Sequence, residues 1–177
     1  MRRDAQRRPG GHGQRPARPG GRLRSDTAWG VATIIARLSL AAGFLSAVAD
    51  RLGLWGPSGH ASVAWGSFSA FLDYTHQLAP YLSGWMLQAT AWTVTVVELT
   101  LGLALLLGVA LRWVAGASAG LLLIFAASMG AFDHIEAPLI ASVPSACSAA
   151  LLLALCPAPS FPLSLDRWRE RRTSQRA

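Results

Sequence analysis

The chain has 177 residues, 52% of them hydrophobic and only 14% charged, with a net charge of +7. Soluble domains carry nearer about 25% charged residues, so this balance excludes an ordinary soluble domain and leaves too little polar sequence for a second one. All sixteen basic residues are arginine, eight before Asp26 and five after Leu165, and a charge so segregated is not by itself a nucleic-acid signature.

Residues 1–26 are Arg, Gly, Pro and Gln with almost nothing apolar. Such a segment buries too little surface to offset its conformational entropy and is expected to be disordered. Its arginines suit a cytoplasmic arm lying against anionic lipid headgroups, each contributing about 1 kcal/mol near the surface. RNA binding is the alternative for this arm, and nucleic acid is not the expected partner of the chain.

The membrane domain is expected over residues 27–157. A first span is predicted at 29–49. A cleaved signal peptide is its rival, since Ala47 and Ala49 precede Asp50 in a small-x-small pattern. The apolar stretch exceeds the 7–15 residues of a signal core and Arg37 interrupts its middle, which favours an uncleaved helix. A long outer loop follows, with the Gly- and Pro-rich turn Gly53–His60. Beyond it, Phe68, Phe71, Leu72 and Leu78 recur at helical spacing. Eight of the fifteen aromatic residues fall between Trp55 and Trp92, where one side of a ring can be apolar and the other wet. This pattern predicts a short helix lying in the outer interface, or a lid over a pocket between the spans.

The second span is predicted at 84–111, closed by Arg112, with Glu98 deep inside it. A run of about 20 apolar residues crosses a bilayer, and an unpaired carboxylate there costs several kcal/mol. Gly102 and Leu105 fall on the Glu98 side of the helix, and Gly102 leaves room for a close neighbour. The third span is predicted at 113–131, where Gly116 and Gly120 form a GxxxG pair suited to packing within the bundle or between protomers. A short acidic connection, Phe132 to Pro138, leads to a fourth span at 139–156. There Pro144 is expected to kink the helix, with Ser142 and Ser145 answering freed carbonyls. Cys147 and Cys156 are nine positions apart and point to opposite faces, so no disulfide between them is expected. Residues 158–177 form a second basic tail.

Placing both tails and the Arg112 turn on one side puts fourteen arginines there and only Arg51 on the other. The positive-inside rule then makes both termini cytoplasmic. The expected fold is all-α, an integral membrane four-helix bundle whose long outer loop carries an interfacial helix.

Arg37 and Glu98 are the two ionisable residues expected deep in the bilayer. Measured from Arg24 and Arg112 they reach similar depths, about 20 and 21 Å; measured from Trp29 and Trp113 they differ by about 10 Å. The alternatives are a buried ion pair that fixes helix register and a quinone or proton contact. Asp50, His60, His76, Asp133, His134 and Glu136 are expected as an outer polar cluster, a titrating group at the mouth of a cavity. No metal-ligand spacing recurs among them, and no metal is expected. Catalytic residues are not identifiable.

Glu98, the Leu101–Gly108 run and Arg112, together with Arg37 and the Ala49–Pro57 segment, resemble the DoxX family of small four-helix membrane proteins. The resemblance covers roughly Ile34 to Pro157. It implies a bacterial cytoplasmic (inner) membrane location and a link to redox chemistry, either as a quinone-interacting subunit or as an anchor for redox enzyme subunits. A carrier of a small solute and a scaffold without a small-molecule site remain the alternatives. Nothing in the residues themselves shows a redox centre.

Overall fold

The computed structural model describes residues 19–156, with side chains from Thr27 onward, so both arginine-rich tail regions lie largely outside the described residues. Six helices and no strand are present among the described residues: α1 (Pro19–Arg51), α2 (Phe68–Leu78), α3 (Gly84–Leu107), α4 (Leu111–Phe132), α5 (Ala137–Ile140) and α6 (Val143–Leu155). Three segments, Thr27–Arg51, Gly84–Leu107 and Leu111–Phe132, are long and apolar enough to cross a membrane. The chain is a multi-pass membrane protein.

The helices touch in a closed cycle, with α1 on α3, α3 on α4, α4 on α6 and α6 on α1. The core stripe of each recurs at three- and four-residue spacing, as one face of a helix requires. On α1 it is Leu40, Ala41, Phe44 and Val48; on α3 it is Ala91, Thr95, Glu98, Leu101 and Leu105. On α4 it is Leu111, Ala115, Ser118, Ala119 and Leu122. Small residues dominate the α4–α6 seam, where Ala115, Ala119, Cys147 and Ala150 are buried together and let the two backbones approach closely. Both cysteines are buried and free.

Several boundaries differ from the sequence expectation, each for a local reason. Helix α1 begins at Pro19 rather than after residue 26; proline is tolerated at a first helical position, and a nucleated span propagates readily into flanking residues. It also extends through Asp50 and Arg51, which are therefore helical and buried rather than part of the loop. Helix α3 stops at Leu107, capped by Gly108 in the left-handed conformation. Arg112 thus belongs to the first turn of α4, where its Nε donates to the Ala154 carbonyl at 3.4 Å. The predicted fourth helix is broken. Ser142 takes a left-handed φ of 56°, α5 ends before it, and Pro144 stands at the start of α6 instead of kinking its middle. Ser148 Oγ donates to the Pro144 carbonyl one turn back along α6, at 2.9 Å.

Gly102 provides the close approach expected of it. A Cβ there would lie 2.9 Å from Leu45 Cγ and 3.3 Å from Phe44 Cβ on α1. Gly116 and Gly120 do not pack within the bundle: both are exposed, with nothing within 4 Å of an added Cβ.

Candidate functional site

The loop after α1 folds back over the end of that helix. Gly66 has a φ of 65°, and a Cβ there would collide with the backbone of Gly56, Pro57 and Ser58, so only glycine allows the two arms of the loop to cross. Ser58 Oγ donates to the Trp65 carbonyl, and the Trp65 backbone N–H donates to Asp50 Oδ2 at 2.8 Å. Trp55 Nε1 donates to the Ser46 carbonyl at 3.1 Å, holding the loop along α1. Ser67 then caps the start of α2, its hydroxyl accepting from the Ala70 N–H at 3.2 Å.

This folding places α2 against α1, α3 and α4. Phe68 stacks on Trp92 of α3 with centroids 4.2 Å apart, and Phe71 is buried. The short helix is therefore packed onto the bundle through its aromatic face.

Beneath α2 lies the centre of the site. Arg51 Nη1 is 2.5 Å from Glu98 Oε2 and donates to Thr95 Oγ1 at 3.2 Å. The Thr95 hydroxyl in turn donates to the Ala91 carbonyl at 2.8 Å. The Arg51 guanidinium carbon sits 3.7 Å from the Phe71 ring centroid and 5.1 Å from that of Trp65. Arg51 and Glu98 are each 2% exposed. A desolvated cation over an aromatic face gains about 2 kcal/mol, and the carboxylate offsets the remaining charge. Neither ion could be held there alone at tolerable cost.

Glu98 is thus paired, but with Arg51 and not with Arg37. The Gly102–Leu45 contact fixes the relative level of the antiparallel helices α1 and α3. Arg37 lies eight residues before Leu45, and Ala110 eight after Gly102, about 12 Å in each case. Arg37 is therefore buried near the level of the α3–α4 turn, well away from the carboxylate. The signal for Arg51 was present in the sequence: Arg37 and Arg51 are fourteen positions apart, four helical turns, and share one face. It was hidden because Arg51 follows Asp50 and precedes a glycine-rich turn, which reads as loop.

The expected outer cluster is only partly assembled. His134 Nδ1 contacts Asp133 Oδ1 at 2.5 Å, and Gln77 Nε2 of α2 donates to the same oxygen at 3.2 Å. Glu136 lines a cavity of ≈600 Å³ with Asp133 and His134 at the α4–α5 corner. Burial and the Asp133 carboxylate raise the Tyr74 phenol above its ordinary value. His60 and His76 are exposed, and Asp50 is buried against the loop backbone, so these three stand apart. No three His, Cys, Asp or Glu side chains converge on a metal site among the described residues.

A second cavity, ≈1200 Å³, lies under α2 and inside the helix cycle. Its roof is Trp65, Phe71, Tyr74 and Leu78; its walls come from α1, α3, α4 and α6, and Arg51 and Glu98 line it. This exceeds the ~300–1,000 Å³ usual for small-molecule sites. Apolar walls with a few convergent polar groups suit an amphipathic ligand. The chain matches no protein-family model, no curated protein and no solved structure with which it was compared.

Proposed function

We propose that this protein is a DoxX-like, non-catalytic membrane subunit that holds a quinone-type molecule and serves redox chemistry carried out by a partner. The observation that supports the reading is the ≈1200 Å³ cavity within the helix cycle, with the Arg51–Glu98 pair on its wall. In this reading α5 and α6 together make the fourth span, broken at Ser142, and both arginine tails face the cytoplasm of a bacterial inner membrane, against anionic lipid. The burial of Arg51 leaves the outer face with no exposed arginine among the described residues, which fits the positive-inside rule.

Mild purification from native membranes, with extraction and identification of bound lipids and proteins, tests this. Quinone retained in near-stoichiometric amount, with redox subunits co-purifying, is the expected result. Solute flux in proteoliposomes without bound quinone would move the assignment to a carrier.

A further inference from the structure

Beside Leu40, Phe44 and the terminal Arg51, the α1 residues that line the large cavity are small. Ala36, Ser39, Gly43 and Ala47 all line it, and Ala146 and Ala149 of α6 line it as well. Ser39 and Gly43 are at the same time exposed, so the cavity reaches the outside of the bundle along this flank. Leu45, two positions and about 200° from Gly43, packs on Gly102 of α3. This opening lies on the side of α1 away from α3, beside α6; exposed Ile124 of α4 and Tyr81 also belong to the cavity lining. From Ala36 to Ala47 the opening runs eleven residues, about 17 Å.

At its inner end the cavity meets Arg51, whose Nε is buried without a hydrogen-bond partner among the described residues. A buried guanidinium N–H left unmet costs free energy that an acceptor would recover. Glu98 already balances the Arg51 charge and Asp50 is buried one residue away. An added anionic head would face two carboxylates, and a cationic head would leave the Nε donor unmet. Of the buried atoms here without a hydrogen-bond partner among the described residues, Arg51 Nε, Asp50 Oδ1 and Glu98 Oε2, a neutral carbonyl acceptor answers the first.

We infer that the cavity is loaded from the bilayer through the slot between α1 and α6 by a neutral, single-chain lipid-type molecule whose carbonyl-bearing head accepts from Arg51 Nε. The chain lies along Ala36–Ala47 and the head comes under α2. Phe71, 3.7 Å from the guanidinium, turns to another rotamer to admit it. This rests on the quinone-type reading above and specifies how such a molecule gets in and where its head stops.

The test uses full-length protein in nanodiscs, with tryptophan quenching read against empty nanodiscs. The probes are a benzoquinone bearing a decyl chain, the same ring without a chain, and dodecanoate. The decyl benzoquinone is expected to bind saturably, with the other two at least roughly tenfold weaker, and Arg51→Lys should weaken it roughly tenfold or more. Gly43→Leu should weaken or slow binding by filling the slot, because an added Cβ at Gly43 meets nothing within 4 Å and the fold should tolerate it. Gly116→Leu, on an exposed face with equal room, should bind like wild type. Should Arg51→Lys fail to fold, a photoreactive decyl benzoquinone on wild-type protein decides instead. It should label α1 over residues 36–51 and α6 over residues 143–150. Labelling confined to α4 residues 112–120, equal binding of the chainless ring, or tighter binding of dodecanoate would overturn the inference. An unchanged Gly43→Leu removes access through the slot, and an unchanged Arg51→Lys removes the head position. Both leave the quinone-type reading standing. No binding of the decyl probe to wild type ends that reading too.

Discussion

Arg51, the last residue of α1, reaches Glu98 in the middle of α3, with 2.5 Å between Nη1 and Oε2. Helix α1 thus ends at a level beyond which the first fourteen residues of α3, Gly84 to Val97, still extend, and α2 with its aromatic face occupies the space above. The long loop serves as packing over a buried ion pair.

Removing one partner of this pair should strand the other. Arg51→Leu and Glu98→Leu are each expected to cost about 3–5 kcal/mol, and the double substitution should recover part of that loss. Denaturation of purified protein in detergent, analysed as a double-mutant cycle, gives the coupling energy. Arg37→Leu combined with Glu98→Leu should show coupling near zero, given the separation of the two residues along the bundle. Strong Arg37–Glu98 coupling would contradict the register described above.

Two glycine positions should respond in opposite ways. Gly102→Leu drives a side chain into Leu45 and Phe44 and is expected to destabilise the protein by about 1–3 kcal/mol through overpacking. Gly116→Leu meets open space and should leave the melting temperature of the detergent-solubilised chain unchanged. Equal losses at both positions would show that the α4 glycines are packed after all, against a second copy.

Tyr74 is held protonated by burial first and by the Asp133 carboxylate second. Its folded pKa lies above the ordinary value, so the neutral phenol is the form the fold favours. The stability linked to it is present in full below about pH 10, the ordinary tyrosine value, and is lost as pH rises through the folded pKa. In a Tyr81→Phe background, phenolate absorbance should appear later than for free tyrosine. Asp133→Asn should bring that midpoint down while leaving it raised, because burial is the larger cause. A midpoint that Asp133→Asn leaves unmoved would separate the two residues.

Topology is open to labelling on intact cells. An impermeant thiol reagent added outside should tag Ser58→Cys and spare Ser25→Cys and Ser174→Cys, with Cys147 and Cys156 buried and quiet. The opposite pattern would invert the arrangement drawn from the arginine distribution.

The sequence by itself determined the all-α membrane class, three of the spans, the existence of α2 and the presence of a costly carboxylate at Glu98. Each of these is a property of contiguous residues: apolar length, helical period, or one charge in an apolar run. Only the tertiary structure decided that Glu98 answers Arg51, that Arg37 lies at the α3–α4 turn, that the last apolar segment breaks at Ser142, and that a cavity opens under α2. Those features depend on the axial offset between helices, which no single helix encodes. It is fixed where Gly102 admits Leu45 and where the Gly66 turn returns Trp65 and Phe71 to the Arg51 guanidinium, contacts between residues far apart in the chain.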